Sequence, residues 1–432
     1  MIALRSLHRR RAALGAFLLA TLLPAVAHAD AIDTGDTAWL LVSSAFVLFM
    51  TPGLALFYGG MVRRKNVLST FMFVHFALAI VTIQWVLFGY SLAFGRTHGG
   101  LIGGFEHALL QGVSGARGTV PAMAFMAFQM KFAIITPALI AGAFVERMRF
   151  SAYIAFAILW ITVVYAPVAH WTWAEGGWLF KLGVLDFAGG TVVHLTAGVA
   201  ALVCALVIGP RRGYPRERFV PHNVTMTVTG GGLLWFGWFG FNAGSALGAN
   251  KVAALAFATT HCSAAAASLA WVAVEWWHRG KPTILGFVSG LVAGLVAITP
   301  AAGFVSVPAS LAIGACSGLA CYAAVLLKER WQYDDSLDAF GVHGVGGILG
   351  ALLTGVFARK ALNDAGADGL LAGQPLQLAK QLLGVVAAGA YSAGLTWLIL
   401  KGVDRVIGLR VSEEEEQEGL DTALHGESGY VM

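Results

Sequence analysis

The chain has 432 residues, 58% of them hydrophobic and 12% charged, with a net charge of +5 and a mean hydropathy of +0.74. A soluble domain carries about a quarter charged residues, so an ordinary globular protein in water is excluded. The positive balance does not point to nucleic acid, because the basic residues cluster in short loops between apolar runs.

The N-terminus reads as a targeting segment. "RSLHRRR" is a basic stretch, "AALGAFLLATLLPAV" a short apolar one, and "AHA" before Asp30 a small-x-small cleavage signal. Pro24 and the brevity of the run favour a cleaved signal peptide over 1–29 rather than a first membrane helix. The transmembrane domain then spans 30–407, and 408–432 forms a tail whose acidic run reads as a solvated end.

Eleven apolar runs follow, near 39–61, 70–94, 121–145, 150–172, 189–208, 223–242, 252–277, 283–299, 304–327, 338–357 and 378–402. Runs of ~20 apolar residues cross a hydrocarbon core of ~30 Å as helices. The expectation is an all-α polytopic membrane protein with eleven transmembrane helices. Loops after odd-numbered spans, with the C-terminal flank, hold sixteen Lys and Arg, against six after even-numbered spans. The positive-inside bias puts those loops and the tail in the cytoplasm and the mature N-terminus in the periplasm of a bacterial inner membrane. Glycine and alanine are abundant, as in "GGILGALLTG", which suits close backbone packing in lipid. Cys204, Cys262, Cys316 and Cys321 lie within apolar runs without metal-ligand spacing and read as small hydrophobes. No cofactor or metal is expected.

Span 5 opens with Asp186 and contains His194; span 10 opens with Asp338 and contains His343. Five spans separate the two patterns, so they insert in opposite senses, which suggests an inverted five-helix repeat plus one helix. Asp186, ahead of a glycine-rich helix start, reads as an N-cap near a pore mouth. His194 lies ~12 Å further along the helix, near the bilayer midplane. Ionisable residues at that depth default to a cavity or pathway. His75 and His261 also fall within spans and read instead as partners of neighbouring helices. Two imidazoles at matching depth can share a proton without a buried net charge.

Aromatic residues supply the rest. Phe128 and Phe132 stand four apart on one helical face, and "WFGWFGFNAGS" places Trp235, Trp238 and Phe241 ahead of Ser245. Trp171 and Trp173 close span 4, where tryptophans often form an interfacial belt. Aromatic faces attract cations and a serine hydroxyl accepts an N–H bond, so Trp173, Phe132 and Ser245 suit a vestibule for an ammonium-sized ion. Phenylalanines below it suit an apolar constriction that strips water.

The motifs "FYGGMVRRKNVLS", "PALIAGAFVERMRFSAY", "DFAGGTVVH", "GWFGFNAGSA", "DAFGVHGVGG" and "GLDTALHGESGY" together resemble the ammonium transporter (Amt/Mep/Rh) family, bacterial Amt branch. The resemblance runs in order over nearly everything after residue 30. It implies an eleven-helix bundle with an inverted five-helix repeat and a pore in each subunit of a homotrimer. It implies a recruitment site of Trp173, Phe132 and Ser245 lined by Phe128 and Trp238, a gate of Phe132 and Phe241, and twin pore histidines at His194 and His343. Asp186 matches a structural and electrostatic residue below the vestibule. The tail is expected to dock on neighbouring subunits, and a PII-class nitrogen-signalling protein to bind the cytoplasmic face. Lys131 and Glu175 depart from the family pattern; Lys131 either snorkels outward or faces the vestibule and repels cations.

The reading is of an ammonium transporter: ammonium is recruited, loses a proton and crosses as ammonia, with methylammonium as an analogue. The rivals are an ammonium sensor, which lacks a fused signalling domain here, and a Rhesus-like gas channel, against which Trp173 and Ser245 argue. No metalloprotease, nucleotide-loop or serine-nucleophile motif supports an enzyme.

Overall fold

A computed structural model describes residues 32–430; the expected signal peptide lies outside them. Eleven helical rods coincide with the apolar runs. They are α1 (Thr34–Met61), α2 (Arg64–Phe94), α3 (Ala122–Ala141), α4 (Phe150–Trp160 continuing through Ile161–Tyr165 into Ala166–Trp173), and α5 (Gly190–Ile208). The others are α6 (Val224–Ala243), α7 (Lys251–Arg279), α8 (Ile284–Ile298), α9 (Val307–Trp331), α10 (Phe340–Phe357) and α11 (Pro375–Val406). Among the described residues, nine helices are long and apolar enough to cross a membrane. The remaining two rods are α8, with 15 residues, and α6, diluted by Thr225, Thr227, Thr229 and three successive glycines.

Four π turns interrupt these rods, at Trp85–Gly89, Ile161–Tyr165, Gly190–Leu195 and Phe340–Gly344. The last two hold His194 and His343. In the first of them the His194 N–H donates to Gly189 O five residues back, at 3.0 Å. Such a wide turn is a recurrent feature of functional sites.

Both histidine-bearing turns start from a buried aspartate. Asp186 accepts the N–H groups of Gly189, Gly190, Thr191 and Val192 at 2.9, 2.7, 2.9 and 3.0 Å. In the second half that place belongs to Asp335, which accepts Ala339 N–H at 3.0 Å and Phe340 N–H at 2.7 Å. The sequence reading paired Asp186 with Asp338, and the capping bonds correct it. Asp186 precedes His194 by eight residues, and so does Asp335 precede His343. The second turn meets α5 backbone to backbone: a Cβ on Gly198 would lie 2.1 Å from Gly344 N. Only glycine at 198 permits this approach.

At one end of the bundle, loops from both halves meet around Glu146, whose φ is +74°. Arg211 bridges it to Asp334, at 3.0 Å and 2.7 Å, while Arg63 N–H and Nε also reach Glu146. Arg147, wholly buried, donates to Gly209 O, Ser336 Oγ and Asp334 O. Burial alone raises the Glu146 and Asp334 carboxyls, but the arginines outweigh it and hold both below the usual carboxylate range.

The tail is not a free solvated end. Its helices α12 (Glu413–Glu418) and α13 (Leu420–His425) pack on these loops within the chain. Buried Glu416 accepts from Arg410 and from Arg212 N–H, both at 2.7 Å. Asp421 accepts Leu68 and Ser69 N–H at the start of α2, at 3.0 and 2.8 Å. Acidic side chains that looked solvated are acceptors for otherwise unpaired N–H groups.

Candidate functional site

On the side opposite the tail, Trp173 ends α4 half-buried. Its indole N–H donates to Asp186 O at 3.0 Å, so the cap of the first histidine turn also fixes this ring. The edge of Trp173 meets Phe132 at 5.9 Å and 86°. Phe128 packs edge-on against Phe132 at 4.9 Å. A Cβ on Gly244 would lie 2.9 Å from Phe128, which brings the α6 terminus against that ring. The hydroxyl of half-buried Ser245 donates to Phe241 O at 2.8 Å. With its one proton committed, Ser245 Oγ keeps lone pairs for an incoming N–H donor.

Below this shallow site Phe132 and Phe241 stack at 4.2 Å and 30°. Both are essentially unexposed, at 1% and 0%. Phe241 leads to His194 at 5.8 Å. Trp238 stacks on His194 at 5.3 Å and 17° and is anchored by its N–H to Thr299 Oγ1 at 2.9 Å. His194 and His343 lie nearly parallel, at 5.3 Å and 13°. Among the described residues, neither ring nitrogen of His194, nor Nδ1 of His343, has a hydrogen-bond partner. Buried polar atoms without protein partners are rare and costly. The two imidazoles line a cavity of about 10 Å³ whose other walls include Met50, Leu54, Ile135, Leu139 and Leu234. That is near the least space one water-sized molecule needs.

His343 also lines a second cavity, of about 30 Å³, toward the tail side. Tyr58, Trp271, Ser289 and Asp338 share this mouth. Ser245, the paired phenylalanines, the paired imidazoles and this polar cavity follow one another along the bundle.

The other residues singled out in the sequence are not part of this succession. Lys131 is half-buried on α3, in line with half-buried Ala127 and exposed Met123 at four-residue spacing. Lys131 points about 100° around the helix from Phe132 and about 60° from Phe128. Its ammonium reaches Met130 Sδ at 3.9 Å. Glu175 is solvent-exposed. His75 bonds Phe71 O within its own helix, and His261 stacks on Trp235. Trp171 donates to Leu101 O, a structural bond. Sequence reasoning missed Asp335, Thr299, Tyr58 and the aliphatic walls. The eight-residue offset to His343 was the available signal for Asp335; the walls had none.

Comparison with known proteins gives the family. The Ammonium Transporter Family profile matches residues 38–430. The ammonium transporter of Aquifex aeolicus (strain VF5) is 54% identical over 406 residues, covering 93% of this chain and 94% of that protein. Among solved structures, Candida albicans Mep2 superposes with a TM-score of 0.86 at 37% identity, over 93% of this chain and 94% of the other. A structure described as a sensor Amt protein gives 0.84 at 31% identity, over 90% and 98%. This multi-pass membrane protein belongs to the ammonium transporter family.

Proposed function

We propose that the chain takes up ammonium at the Trp173, Phe132 and Ser245 vestibule, removes a proton near the Phe132–Phe241 stack, and conducts ammonia past His194 and His343. Phe128 and Trp238 line the approach, and Asp186 holds the turn that positions Trp173 and His194. Aromatic faces favour a cation at the entrance, and Ser245 Oγ favours one with N–H groups. A bare cation is costly in the apolar constriction, whereas neutral ammonia crosses far more cheaply. The observation that carries the reading is the pair of buried imidazoles, with unpartnered nitrogens, that line a water-sized cavity. Such a lining offers a neutral guest hydrogen bonds without holding it as a charge.

In this reading the Ser245 mouth is periplasmic and the tail side cytoplasmic, in a bacterial inner membrane. The working unit is a homotrimer with one pore per subunit, and a PII-class protein is the partner at the tail side.

The test is charge movement in proteoliposomes after a jump in external ammonium, with potassium as control and His194→Ala/His343→Ala alongside. A saturable ammonium current lost in the variant means that the histidines also carry the proton. Internal alkalinisation without current means neutral ammonia conduction. Neither signal, in folded protein, refutes transport and leaves sensing as the function.

A further inference from the structure

Asp338 is left without a task by the scheme above. It lies three residues after the cap Asp335, the place Gly189 holds after Asp186. Both residues have left-handed backbones, with φ of +59° at Asp338 and +107° at Gly189. Glycine adopts that conformation freely, while a side chain carries a conformational cost that a glycine would remove. Asp338 retains a carboxylate there, in the wall of the tail-side cavity beside His343.

That carboxylate already holds an ammonium group. Lys328 Nζ, from the last turn of α9, lies 2.5 Å from Asp338 Oδ1 and donates to Asp335 O at 3.0 Å. Its side chain is 13% exposed, against 32% for Asp338. The other charges nearby are committed: Asp335 to its cap bonds, Arg211 to Asp334 and Glu146, and Glu329 to Arg279.

We propose that Asp338 and the Asp335 carbonyl form a monovalent-cation site at the tail-side mouth, occupied by the tethered ammonium of Lys328. A free ammonium ion presents the same N–H donors and charge as Lys328 Nζ, so it is the ligand this site takes when the lysine is absent. With Lys328 in place, the mouth neither retains the product cation nor collects ammonium for return through the pore. The pair sets the apparent affinity at one mouth and leaves the equilibrium of transport unchanged. This inference rests on the ammonium reading above.

The experiment measures the half-saturating ammonium concentration from each side, in proteoliposomes whose sidedness is fixed by protease access to the tail. Lys328→Met is expected to lower the tail-side value by roughly ten-fold and to leave the Ser245-side value within about two-fold. Lys328→Met/Asp338→Asn is expected to abolish that gain, and Lys328→Arg to behave as the wild type. Asp338→Asn alone leaves a cation at the mouth without its counter-charge and raises the tail-side value; it tests the proposal independently if Lys328→Met does not fold. An unchanged tail-side value in Lys328→Met, an Arg variant that behaves like the Met variant, or a gain that persists in the double variant overturns the tethered-cation site while leaving transport intact. A wild type that carries no ammonium from either side overturns both readings.

Discussion

Replacing Asp186 by asparagine tests what holds the first histidine turn. The carboxylate accepts four backbone N–H groups, two on each oxygen. A carboxamide keeps one acceptor oxygen and turns an NH2 group toward the other two donors. A buried donor left without an acceptor costs about 1–3 kcal/mol, so Asp186→Asn is expected to cost about 2–6 kcal/mol. Asp335 caps the second turn with one bond per oxygen, so Asp335→Asn strands one donor and costs about 1–3 kcal/mol. Against a total stability of roughly 5–15 kcal/mol, the first loss is large. The assay is thermal melting of detergent-solubilised protein at pH 8, with methylammonium uptake measured in parallel. The expected melting shift is about twice as large for the Asp186 variant. Uptake falls more as well, because Trp173 hangs on the same turn through Asp186 O. Equal shifts for the two variants would refute the capping argument. An unshifted Asp186→Asn protein that no longer transports would show that the charge acts on the cargo rather than on the turn.

Other consequences follow from the same geometry. Ser245→Ala removes the lone pairs offered at the vestibule and should weaken half-saturation for methylammonium by up to about ten-fold, with maximal rate nearly unchanged, a loss of about 0.5–1.5 kcal/mol. Lys131→Met should leave uptake within about two-fold, since its ammonium turns to Met130 Sδ and Phe132 points about 100° away on the helix; a large gain would place the charge at the vestibule. Burial pushes the Asp335 carboxyl up to about 6, opposed by Lys328 and assisted by Asp338. A carboxyl raised above its unfolded value of about 3.9 binds its proton more tightly when folded. Its contribution is therefore fully present below the unfolded value and is lost as pH rises through 6. Between pH 7 and 5 the wild type should gain stability relative to Asp335→Asn, as read by melting in a pH series.

The rods were legible because about twenty consecutive apolar residues leave one solution in lipid, a helix with its backbone bonds made internally. The π turns at Gly190–Leu195 and Phe340–Gly344 were not, because one extra residue per turn does not disturb a run that is apolar on every side. His194 and His343 could be singled out by type and depth, whereas Phe132 and Phe241 were paired as a gate only through the family resemblance. The stacking order of the four was not legible, since it depends on how α3, α5, α6 and α10 are rotated against one another. The pairing of Asp186 with Asp338 went astray because three aspartates lie within five residues, at 334, 335 and 338, and only the backbone reveals which one caps. The Glu146, Arg211 and Asp334 hub joins loops far apart in sequence. The tail misled for the opposite reason: a run of glutamates looks solvated until Glu416 meets Arg410 and the Arg212 N–H.

The unpartnered imidazoles raise a question of stability that the surrounding structure answers. A buried histidine is usually fixed by hydrogen bonds from its ring, yet His194 has none to protein among the described residues. Its position comes instead from the backbone and from its neighbours. Asp186 secures the start of the turn, and the Gly198–Gly344 approach locks α5 against the second histidine turn. Trp238, tethered to Thr299, lies flat against the ring. On the entrance side the Ser245 hydroxyl donates to the Phe241 carbonyl, so that donor and that acceptor are spent on each other rather than on the imidazole. The bonds that fix the site are thus made by groups other than the imidazole, and both His194 nitrogens stay without a protein partner among the described residues. A substitution that gave His194 a protein partner, such as Leu139→Asn in the cavity wall, should preserve the fold and slow conduction, because a partner that never leaves would compete with one that must.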